Sequence, residues 1–329
     1  MRWDGLPQNN HPGDSHDIHA QDGIGVAGDG HAFERLRAGR GGRGAAAPPM
    51  VVWAPKPVLA PFVAPNKPLV RVADLQRQHA RDKSWNELVV RDADGLTGRY
   101  IQMAPGEKTK TQFWVDSLTF WFVQAGQMRV TIQGQEPFIA NKSFVVQIPA
   151  RVQYAMETVG DEPVLRFEVT HTRAQPFYPL SETPTPVRGY QYQQVTLPST
   201  PGSYGATKPY IDYQKEVIEG GGRAPAGYIR DGETAANIGR APGAPTPPAT
   251  QWGHFHDGTS EFWFMLEGNA EFLIEGVPLV RASQGDIVYA PAGRFHRSGH
   301  VGEVATRVST HPIATAANSM QVGGAGGAE

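Results

Sequence analysis

The chain has 329 residues, enough for one large domain or two average ones, and 40% apolar with 19% charged residues suits a globular chain. A formal net charge of −2 and a pI of about 6.6 argue against a dominant nucleic-acid role, which rests on clustered basic charge. No run approaches the length of an apolar membrane span. There is no cysteine, which excludes disulfides, thiolate metal sites, iron–sulfur clusters and cysteine nucleophiles but leaves the compartment open.

Residues 1–49 hold ten glycines and four scattered histidines (His11, His16, His19, His31) with no apolar period, and read as a disordered head. Gly23-Ile-Gly25-Val-Ala-Gly28 matches a dinucleotide-binding pattern, but no strand precedes it and no helix follows, so it is set aside. The basic run through Arg35, Arg37, Arg40 and Arg43 into Ala45-Ala46-Ala47-Pro48-Pro49 resembles the end of an export signal without its apolar middle. Location is therefore open between the cytoplasm and export of a chain beginning near Met50.

Residues 50–70 form a proline-rich extended arm, and 71–83 are the best helix candidate. Beyond them, the 38 glycines and 28 prolines predict short strands and turns, and the chain repeats itself. Phe120-Trp121-Phe122-Val123-Gln124-Ala125-Gly126 corresponds to Phe262-Trp263-Phe264-Met265-Leu266-Glu267-Gly268. Each leads into an alternating strand (128–132 and 270–274), then into a second strand ending at Pro149 or Pro291, with the same glycine-to-proline distance in both halves. Two equal β units follow, at 71–175 and 211–312, joined by a proline-rich linker at 176–210 and closed by a flexible tail at 313–329.

The second unit carries the chemistry. His254 and His256 share one face of a strand, because side chains alternate with period two. Residues 257–260 read as a turn that resets the phase, so that Glu261 can join them, and His296 follows a second turn at 291–295. Three imidazoles and a carboxylate suit one divalent first-row metal ion: Fe, Mn, Ni, Zn or Cu. On the alternation from Glu261, Trp263 and Met265 share the metal-facing side. Arg294 is a candidate anchor for an anionic substrate. Tyr289 and His300 are candidate acid–base groups.

These residues resemble the cupin superfamily. His254-x-His256, four residues, Glu261, six residues and Gly268 follow its first motif; Gly285, five residues, Pro291-x-Gly293, two residues and His296 follow its second. Pro248 stands where the first motif begins with glycine, and His300 where the second ends with asparagine, which makes His300 a candidate pocket residue. The resemblance implies an all-β chain of two double-stranded β-helix (jelly-roll) barrels, with His254, His256, Glu261 and His296 as ligands of one metal ion per chain. Superposing the halves puts Gln112, Trp114, Thr119 and Tyr154 at the four ligand positions of the first, which is therefore expected to be metal-free. The family further implies an enzyme with a small-molecule substrate, first of all a mononuclear non-haem iron dioxygenase. A redox-neutral decarboxylase, lyase or isomerase and a non-catalytic binding cupin are the alternatives, and homo-oligomers are a further expectation.

Overall fold

The computed structural model describes residues 52–92, 95–205, 207–221, 224, 227–243 and 252–313, together with the backbone of 319–321. The head expected at 1–49 lies outside the described residues. Among those described, strands dominate, and no helix is long and apolar enough to cross a membrane.

The first half is a six-stranded antiparallel sheet. Its spatial order is Tyr210–Asp212, Phe144–Ile148, Thr119–Ala125, Val164–His171, Leu96–Met103 and Trp85–Arg91. A three-stranded sheet of Phe138–Ala140, Gln127–Ile132 and Tyr154–Val159 faces it. Alternate residues of both (Trp121, Val123, Val146, Met128, Val130, Met156) fill the space between, each removed from water. In the second half the two layers are continuous. Glu261–Ile274 and His296–Pro312 run through both, and register shifts between Met265 and Glu267 and between Glu267 and Asn269 bend them over.

The repeat glycines explain that bend. Gly126 and Gly268 have φ of +74° and +68°, and a Cβ on either would lie 2.4 Å from the carbonyl oxygen of Pro163 or Val304. Only glycine combines the left-handed backbone with so close an approach.

The other strand faces, carrying Phe120, Phe122 and Phe167 from one half and Phe262, Phe264 and Val308 from the other, pack into a single core shared by both barrels. Burying each large side chain there contributes about 1.5–3 kcal/mol. The halves also exchange strands. Leu69–Val70, at the end of the expected arm, pairs with Val288 and Ile287 of the second barrel. Tyr210–Asp212, expected at the junction of the linker and the second barrel, pairs with Val146, Val145 and Phe144 of the first. The segment between 176 and 210 lies along the first barrel: Phe177 pairs with Phe113, and the Tyr204 hydroxyl donates to the Gln147 carbonyl. Three residues of the expected tail, Ser319–Gln321, pair with His254–His256.

The helix is shorter than the 71–83 expected. It spans Val72–Gln78, burying Val72 and Leu75, and its first N–H is capped by Asp286 of the second barrel. After it, His79 turns to stack on Trp85 with ring centroids 4.6 Å apart.

Candidate metal centre

His254–His256 is a three-residue strand in which His254 pairs with His296. Gly253 allows the chain to cross so closely: its φ is +76°, and a Cβ would lie 2.2 Å from the His296 carbonyl oxygen. The turn before His296 is tied back by the Gly293 N–H, which donates to the His256 carbonyl at 2.7 Å. The turn before Glu261 is held from the first half: Ser260 donates to one Asp92 oxygen at 2.5 Å, while Tyr289 donates to the other at 2.7 Å.

The four side chains meet. His256 Nε2 and His296 Nε2 each lie 3.0 Å from Glu261 Oε2, and His254 Nε2 lies 3.8 Å from the same oxygen. All four donor atoms fall within 4.8 Å of one another, the one such cluster found among the described residues. The spacing fits an ion: donors about 2.1 Å from a common metal and at right angles lie about 3.0 Å apart. His296 Nδ1 donates to the Arg294 carbonyl at 2.9 Å, which leaves Nε2 as the lone pair facing the cluster.

Charge suits the same purpose. Burial alone would raise the Glu261 carboxyl. The close imidazoles of His254, His256 and His296 outweigh it and hold the group well below the carboxylate range. Burial pushes His296 down, against the pull of Glu261, towards its neutral form. An ionised carboxylate beside neutral imidazole is the state that binds a divalent ion. The side chains of Glu261 and His296 are 8% and 3% exposed against 34% for His254, so the cluster opens on the His254 side.

Trp263 and Met265 back the cluster. The Trp263 ring sits edge-on to His296, centroids 5.1 Å apart, and both residues belong to the dry barrel core with Phe272 and Val288. Two other expected pocket residues are elsewhere. Tyr289 pairs with Phe262 and so points the opposite way, into the core shared by the barrels, where its hydroxyl is bound to Asp92. Burial and the Asp92 charge raise its pKa, and its place on the face opposite the cluster removes it from the metal site. Arg294 donates to the carbonyls of Ala60 and Glu275 and lies 4.7 Å over the Phe62 ring. It clamps the arm rather than anchoring a substrate. His300 faces inward opposite Ala270, four residues along the strand from His296.

The same strand carries residues that the motifs do not mark. Arg307, Ser309 and His311 alternate on its inward face, and the His311 ring lies 5.8 Å from that of His256. Alternation carried on from His296 and His300 selects even residues and misses all three; the register shifts around Glu267 bring the odd residues to the inward face.

At the equivalent place in the first barrel, Gln112 pairs with Tyr154 as His254 pairs with His296. The Tyr154 hydroxyl accepts hydrogen bonds from Gln112 at 3.2 Å and Trp114 at 3.0 Å, and Thr119 donates to the Val169 carbonyl. A neutral hydrogen-bonded set occupies these positions, which offer none of the imidazole and carboxylate donors of the second barrel.

Residues 241–311, which include all four donors, match the family model described as a cupin domain. The second barrel thus carries a cupin domain. Among solved structures, the chain is similar to a salicylate 1,2-dioxygenase from Pseudaminobacter salicylatoxidans, with 11% identity over 74% of this chain and 82% of that chain and a TM-score of 0.51. It is also similar to oxalate decarboxylase from Bacillus subtilis, with 14% identity over 73% of this chain and 74% of that chain and a TM-score of 0.45. At such identities the likeness is one of fold, that of a two-barrel cupin. A comparison with curated proteins finds no match.

Proposed function

We propose that this protein is a metal-dependent enzyme with one active centre per chain, and that its reaction is oxygenation of a small organic substrate at a mononuclear non-haem iron. The observation that carries the reading is the convergence of three imidazole Nε2 atoms on one Glu261 oxygen, open on the His254 side. When bound, the ion supplies Lewis acidity and one-electron redox chemistry at the positions the four side chains leave open. Glu261 offsets part of the ion's charge. The Arg294 carbonyl fixes the His296 ring, and Trp263 and Met265 keep water from the inner side. The salicylate dioxygenase is a neighbour in fold alone, and the oxygenase reading rests on the donor set and on the single centre. Bicupins that decarboxylate are expected to keep ligands in both barrels.

The test is an O₂-uptake screen of the full chain reconstituted with Fe(II) against small aromatic and diketone compounds, alongside Glu261→Gln. Substrate-dependent uptake by the native chain and its loss in the variant support the reading. Turnover without O₂ uptake supports a redox-neutral reaction instead.

A further inference from the structure

The duplication exposes a charged group that the motifs do not mark. In the first barrel Val123 pairs with Arg166 and Trp121 with Glu168. In the second, the repeat-equivalent residues Met265 and Trp263 pair with Arg307 and Ser309. Directly paired residues share a face, so both barrels place an arginine on the inner wall at the same register, two residues from the position opposite the repeat tryptophan. What differs is the neighbour. In the first barrel it is Glu168, whose Oε2 lies 2.9 Å from Arg166 Nε in a pair that is almost wholly buried. In the second it is Ser309, a neutral hydroxyl that accepts from Arg307 Nη1.

Arg307 therefore lacks the internal carboxylate of its counterpart, and its Nε is buried without a hydrogen-bond partner. The carboxylate whose charge reaches it is Glu261, already engaged by three imidazoles. Its bond to Ser309 leans the guanidinium along the strand toward Trp263 and the metal cluster. The adjoining strand, Thr234–Pro242, leaves space beside it: Gly239 pairs with Arg307 and has no side chain, and Asn237, paired with Ser309, is exposed although it lies on the inward face. A half-buried guanidinium whose Nε is shielded from water and unpaired, beside an opening and on the face of a metal cluster, is a built receptor for a carboxylate.

We propose that Arg307 anchors a carboxylate of the ligand bound in the second barrel, and that this external carboxylate takes the place which Glu168 fills internally in the first. The inference names the substrate class for the centre proposed above and rests on that reading for the ligand's reacting end.

The experiment uses the full chain loaded with Zn(II), a redox-inert ion, and calorimetric titration with acetate and benzoate, each against its neutral amide. Metal content is measured for every sample. The expected result is tighter binding of at least one carboxylate than of its amide. In Arg307→Gln that preference falls by about tenfold or more, Arg307→Lys retains part of it, and metal content is unchanged. Ser309→Glu, which installs the internal carboxylate of the first barrel, also abolishes the preference and guards against a folding defect peculiar to the arginine variants. Equal binding of acids and amides by the native chain, or undiminished carboxylate binding by Arg307→Gln, overturns the inference and leaves the metal reading standing. Native protein that takes up no Zn(II) yet binds carboxylate in an Arg307-dependent way supports the anchor while defeating the metal reading.

Discussion

Phe122 and Phe264, the same residue of the two repeats, stack on each other with ring centroids 4.6 Å apart and planes 9° from parallel. Each barrel thus contributes one copy of the repeated aromatic strand to a core that belongs to both. The outward faces of those strands join the barrels, and their inward faces, through Trp121 and Trp263, fill them.

That stack predicts cooperative unfolding of the two barrels. Phe122→Ala or Phe264→Ala should each cost about 3–5 kcal/mol. The double variant should cost less than the sum, since the pair itself contributes about 0.5–1.5 kcal/mol. Denaturant unfolding followed by tryptophan fluorescence and circular dichroism measures this. Two separated transitions in the native chain would contradict a shared core.

Arg294 gives a second prediction. It holds the arm through the Ala60 carbonyl and the Phe62 ring, so Arg294→Ala should loosen residues 52–68 and cost about 1–3 kcal/mol. Faster hydrogen exchange confined to the arm, with metal content kept, is the expected outcome. Loss of substrate affinity with an undisturbed arm would return Arg294 to the role of anion anchor.

Asp92 supplies a pH dependence. Burial raises its carboxyl above the ordinary 3.8, against hydrogen bonds from Ser260 and Tyr289. The native state therefore holds this proton more tightly than the unfolded chain. The stability it contributes is full below the unfolded value and is lost as pH rises through the folded one. Asp92→Asn cannot titrate, so its Tm should gain on the native chain as pH rises from the ordinary carboxylate value of 3.8, on top of a constant offset for the altered bond to Ser260. A native chain that gains on the variant as pH rises has the opposite sign and refutes this account of Asp92.

Much of the site can be read in the sequence because its residues are local. His254, His256 and Glu261 lie within one strand–turn–strand, and the second turn brings His296 to pair with His254. The repeat likewise reveals the two barrels. What stays hidden depends on distant partners or on a face misjudged by one residue. Tyr289 follows Val288, which faces the barrel, and so must face the other way. Arg294 sits in a turn, where no period assigns a side, and its partner Ala60 is 234 residues away. The exchanged strands Leu69–Val70 and Tyr210–Asp212 are too short to announce themselves and pair outside their own half of the chain. Arg307 belongs to neither motif, and only the register of both barrels relates it to Arg166.

Tyr154 tests the claim that the first barrel is filled by its own side chains. Tyr154→Phe removes the hydroxyl that Gln112 and Trp114 share and should cost about 1–3 kcal/mol, leaving metal content unaltered. Thermal unfolding together with metal analysis checks both halves of that statement.

The most direct test of the central claim is the metal stoichiometry of the full chain, by elemental analysis after reconstitution and desalting. One divalent ion per chain is predicted for the native protein and for Tyr154→Phe. Glu261→Gln and His296→Ala should hold close to none while keeping the native circular dichroism spectrum. No ion in the native chain, two ions, or an ion retained by both ligand variants would contradict a single centre built from His254, His256, Glu261 and His296.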